Sequence, residues 1–72
     1  MTEEEVISLV KEAGGELVSF ARSRLLNMWR LLDQDELVQR VEDLCEANGF
    51  EYRYDQATAL FRIRLKDAPR VA

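Results

Sequence analysis

Residues 50–65, FEYRYDQATALFRIRL, decide how this chain is read. Phe50, Tyr52 and Tyr54 alternate with Glu51, Arg53 and Asp55, and Phe61, Ile63 and Leu65 alternate with Arg62, Arg64 and Lys66. Period two with one apolar side is the mark of a half-buried strand. Two such runs joined by a short loop around Gln56-Ala57 predict an antiparallel hairpin. A two-residue turn there would set Tyr54 opposite Ala59, Tyr52 opposite Phe61 and Phe50 opposite Ile63. On the other side Glu51 would face Arg62 and Arg53 would face Leu60. An isolated hairpin is barely stable in water, so its apolar face must be covered by what precedes it.

What precedes it reads as three helices. Thr2 and Glu5 have the spacing of a capping box, with Glu3 and Glu4 in the first turn. Val6, Ile7, Leu9, Val10 and Ala13 give the helix over residues 3–13 an apolar side, and Gly14-Gly15 ends it. A second helix is predicted over residues 16–32. There Leu17, Val18, Ala21, Leu25, Met28, Trp29 and Leu32 share an arc of about 120° at helical spacing. Phe20 and Leu31 widen that arc and Leu26 lies outside it, so this helix offers more apolar surface than one small neighbour covers. Asp33 with Glu36 repeats the capping-box spacing. It opens a third helix over 34–48 with the stripe Leu37, Val38, Val41, Leu44 and Cys45, which Asn48-Gly49 stops.

The expected fold is therefore α+β, three helices followed by a C-terminal antiparallel β-hairpin. One domain spans residues 1–66, with a flexible tail over 67–72. In order of elements this resembles a winged helix-turn-helix, in which the third helix enters the major groove and the hairpin is the wing. The third helix does not suit that role. Its exposed positions include Asp35, Glu42, Asp43 and Glu46, and a polyanion would repel them.

Composition narrows the function. A chain of 72 residues has a small core, and the usual staples are missing: there is one cysteine and no histidine. Neither a disulfide within the chain nor a zinc cluster is expected, and no cofactor is implied. Efficient packing or self-association must compensate, so a homodimer is one expectation. Without histidine, Ser-His-Asp and Cys-His arrangements are excluded, and the carboxylates have the spacing of helix caps and solvated faces. Asp33-Gln34-Asp35 fails as a calcium loop because Leu37 stands where a ligand is needed. Cys45 lies on an apolar stripe and reads as a buried, inert thiol. The acidic start and the absence of a long apolar run point to a cytoplasmic protein with no membrane segment.

The formal net charge of −4 is unevenly spread. Residues 17–32 hold three arginines and no acid, whereas residues 33–55 hold eight acids and two arginines. Two protein-binding surfaces follow. One is the surplus apolar part of the second helix, Phe20, Leu26, Trp29 and Leu31, which would serve a partner or a homodimer seam. The other is the acidic face of the third helix, Asp35, Glu42, Asp43 and Glu46, suited to a basic or nucleic-acid-binding protein. The expected function is non-enzymatic: an adaptor, inhibitor or antiactivator occupying a surface of a larger protein. The alternative is a nucleic-acid-binding regulator using Arg22, Arg30, Arg53, Arg62, Arg64 and Lys66.

Overall fold

A computed structural model describes residues 1–66 of the chain, so the tail expected over 67–72 lies outside the described residues. The elements run α1 (Glu3–Glu12), β1 (Val18–Ala21), α2 (Arg22–Trp29), α3 (Gln34–Asn48), β2 (Phe50–Asp55) and β3 (Leu60–Leu65). This is the expected α+β class with its winged-helix-like order, and it has three strands where two were expected. The sheet is antiparallel throughout in the order β1-β3-β2.

The third strand corrects the helix expected over 16–32. Val18 to Ala21 pair with β3, Val18 opposite Ile63 and Phe20 opposite Phe61. Val-Ser-Phe-Ala also alternates, and a run of four residues satisfies either period. The decision belongs to β3, whose second edge needs hydrogen-bond partners if it is to lie inside the sheet. Helix α2 is accordingly only eight residues long. It ends at Arg30, which takes a left-handed conformation (φ 55°, ψ 45°) usually left to glycine or asparagine.

The other signals act as their chemistry requires. The Glu5 N–H donates to the Thr2 hydroxyl at 3.3 Å. The Asp33 carboxylate accepts from the N–H of Asp35 at 3.2 Å, one residue earlier than a capping box would have it. Gly49 stops α3 with φ 69°. The hairpin is shifted from the expected register because its loop holds four residues, 56–59. Asp55 begins that loop by accepting the N–H of Ala57 at 3.0 Å, and Ala59 leaves it with φ 54°. As a result Tyr54 faces Phe61, Tyr52 faces Ile63 and Phe50 faces Leu65. On the outer side Glu51 faces Arg64, and Arg53 faces Arg62.

The core lies between the helices and one face of the sheet. Val6 and Val10 of α1, Leu25 of α2, and Leu37, Val41, Leu44 and Cys45 of α3 close on Phe20, Phe50, Phe61 and Ile63. Phe61 is the centre of the sheet side, fully buried, with its ring 4.6 Å from that of Tyr54 and 6.1 Å from that of Tyr52. No side-chain nitrogen or oxygen is buried without a partner among the described residues, so the core carries no polar penalty.

Candidate functional site

The inward stripe of α3 leaves its opposite side to solvent. Asp35, Glu36, Gln39, Arg40, Glu42, Asp43 and Glu46 are all exposed there. Neutral donors hold two of these acids: Gln39 Nε2 donates to Asp43 at 3.0 Å, and the Tyr52 hydroxyl donates to Glu42 at 2.9 Å. Among the described residues no ion pair reaches this face, so its negative charge is uncompensated. All four acids singled out in the sequence therefore share one helix, with Arg40 the lone cation between them.

The charge of Glu42 is felt beneath the helix. Burial pushes the Cys45 thiol up to about 11, and the neighbouring Glu42 carboxylate adds to the shift. Such a thiol is protonated and inert at neutral pH, as expected from its place on the apolar stripe. Burial likewise lifts the Tyr52 hydroxyl, which the hydrogen bond to Glu42 and that carboxylate's charge carry further, to about 12. A shallow open groove runs beside this contact, lined by Glu42, Cys45, Glu46, Phe50, Tyr52 and Lys66 together with Glu51.

The apolar surface expected on the second helix is largely used up by the fold. Phe20 is not on a helix at all: it sits in β1, only 5% exposed, inside the core. Leu26, Trp29 and Leu31 are partly buried against the same core. The large apolar residues left open are Leu32, 99% exposed in the α2–α3 loop, with Leu9 and Leu17 at 46% and 45% and Met1 at the start of the chain. Helical spacing puts Leu32 in the apolar arc of the expected second helix; ending α2 at Trp29 takes it off the helix. No periodicity rule finds it, because its exposure follows from a left-handed residue two positions earlier.

The basic residues separate into two groups. Arg22 Nε donates to Gln34 Oε1, tying the start of α2 to the start of α3. Arg30 caps α2 and is exposed, and Lys66 is exposed beyond β3. Arg53, Arg62 and Arg64 project from the sheet face opposite the core. Arg64 is ion-paired with Glu51, and Arg62 lies 3.6 Å from Asp55. Arg53 is exposed, has Arg62 directly across the strand, and has no ion-pair partner among the described residues. Asp55 is held below the usual carboxylate range, chiefly by a hydrogen bond from Thr58. The N–H groups of Ala57 and Thr58 and the charge of Arg62 assist, against partial desolvation.

Among the described residues no three metal-ligating side chains converge, and no helix is long and apolar enough to cross a membrane. Fold and surface together define an α+β domain of winged-helix-like order whose third helix is acidic outward. No protein-family model, curated protein or solved structure matches the chain.

Proposed function

We propose that this chain is a small, non-enzymatic protein-binding module, an adaptor, inhibitor or antiactivator that occupies a basic surface of a larger cytoplasmic protein through the outer face of α3. The observation behind this reading is the uncompensated charge of Asp35, Glu42, Asp43 and Glu46 on one exposed helix. In a winged-helix-like order this is the helix that would meet a nucleic-acid groove, and phosphates would be repelled there. A basic protein surface, including one that itself binds nucleic acid, is the complementary partner. Leu32, fully open beside Asp33 and Asp35, adds an apolar contact at the edge of the charged face.

The test is a pull-down from lysate with the wild type beside the triple variant Asp35→Lys, Asp43→Lys and Glu46→Lys. Glu42 is left alone because it holds Tyr52. The wild type should retain basic proteins that elute with salt, and the variant should lose them. An unchanged set of retained proteins would remove the α3 face from consideration. The nucleic-acid alternative draws on Arg53, Arg62 and Arg64, which the hairpin register gathers on one sheet face, together with Arg22 and Arg30 at the two ends of α2 and Lys66 after β3. It requires salt-dependent binding to duplex or single-stranded DNA that Arg62→Glu with Arg64→Glu weakens.

A further inference from the structure

Strand β2 is an edge strand, hydrogen-bonded to β3 on one side only. The Lys66 N–H donates to the Gly49 carbonyl at 3.0 Å, which makes that pair one of the hydrogen-bonded pairs of the antiparallel ladder. Stepping by two along the register, Glu51–Arg64, Arg53–Arg62 and Asp55–Leu60 belong to the same set. The bond from the Arg22 N–H to the Ala59 carbonyl, 2.9 Å, fixes the alternation independently on the other side of β3. Hence the N–H and C=O groups of Phe50, Tyr52 and Tyr54 point away from β3, toward the free edge.

The side chains along this edge limit what can pair with it. On the outer face, Glu51 and Arg53 stand two residues apart with opposite charges, and Arg53 has no carboxylate partner among the described residues. A second copy of β2 laid antiparallel with Tyr52 opposite Tyr52 puts each Glu51 opposite the Arg53 of the other copy. It also puts Phe50 opposite Tyr54 on the inner face. A slip of two residues one way sets Glu51 against Glu51. A slip the other way sets Arg53 against Arg53 and Glu51 against Asp55. One register attracts at both symmetric positions and its neighbours repel, so the charges that guard this edge against general pairing also select one partner.

We propose that the free edge of β2 is a self-pairing surface, across which two copies join their three-stranded sheets into one six-stranded antiparallel sheet about a two-fold axis at Tyr52. The arrangement supplies Arg53 with a carboxylate that the described residues of its own chain do not. It stands independently of the proposed α3 function.

Sedimentation equilibrium of the full chain from micromolar to millimolar concentration tests it, with Arg53→Glu, Glu51→Arg and an equal mixture of the two. The wild type should dimerise. Each single variant makes both symmetric pairs repulsive, so its dimer dissociation constant should rise about tenfold or more. In the mixture one copy carries only arginine and the other only glutamate at positions 51 and 53, so a heterodimer should form. Arg53→Glu removes a like-charge pair with Arg62, so at concentrations where the wild type is monomeric its thermal melt should not fall below the wild type's, and loss of folding cannot account for loss of the dimer. A monomeric wild type, an unaffected Arg53→Glu dimer, or a mixture that stays monomeric would each overturn the proposal.

Discussion

The outer face of α3 and the outer face of the β2–β3 hairpin come from adjacent stretches of chain and are both open to water, yet they treat charge in opposite ways. On α3 the carboxylates find only neutral donors, Gln39 and Tyr52. On the hairpin two of three arginines are matched by carboxylates of the neighbouring strand, Glu51 and Asp55. A charge count along the sequence is therefore not a surface potential. Among the described residues the basic hairpin is nearly neutralised from within and leaves Arg53 unpaired, whereas the acidic helix keeps its field. Proposed binding follows the uncompensated charge.

Both faces rest on Phe61, so the largest effect should come from removing it. Phe61→Ala leaves a cavity under Tyr52 and Tyr54 and should cost about 3–5 kcal/mol in urea unfolding. In a domain this small that loss approaches the whole stability. A loss under about 1 kcal/mol would mean that the helical and hairpin faces do not share one core.

The two regions should also separate by pH. Cys45 and Tyr52, at the α3–β2 contact, bind their protons more tightly when folded, at about 11 and about 12 against ordinary values of 9.0 and 10.0. Their contribution is therefore full below about pH 9 and is lost as the pH rises toward 12. Cys45→Ala should flatten the fall in stability between about pH 9 and 11, measured as the urea midpoint at each pH. Asp55 in the hairpin has the opposite sign. Its lowered value gives stability that is present above its ordinary 3.8 and lost as the pH falls through its folded value. Its carboxylate is open to solvent, so the acid limb should be the weaker of the two, and Asp55→Asn should remove it.

Between these lies the cap of α3. Asp33→Ala takes the acceptor from the Asp35 N–H and should cost about 1 kcal/mol, without altering the hairpin's response to acid. If the acid limb moved with it, the two regions would be coupled more tightly than their separate hydrogen bonds imply.

Much of the fold was legible in the chain. Helix starts at Thr2 and Asp33, stops at Gly14 and Gly49, and strand alternation through residues 50–65 are local signals, set by backbone geometry and by which side chains accept from open N–H groups. The same period of 3.6 placed Asp35, Asp43 and Glu46 on the solvent side of α3, so the acidic surface was visible before any tertiary contact. What the sequence could not decide was the state of Val18 to Ala21. A run of four apolar-rich residues fits a helix turn or a strand equally well, and only the open edge of β3 selects the strand. That choice shortened α2 at its start and moved Phe20 from surface to core, while the left-handed Arg30 ended the helix early and released Leu32 to solvent. The hairpin register was likewise tertiary in origin: the loop's length decides whether Glu51 meets Arg62 or Arg64, and no local propensity counts residues across a turn. Spacing along one element is fixed by covalent geometry, and partnership between elements is fixed by which unsatisfied edge or apolar face the rest of the chain must cover.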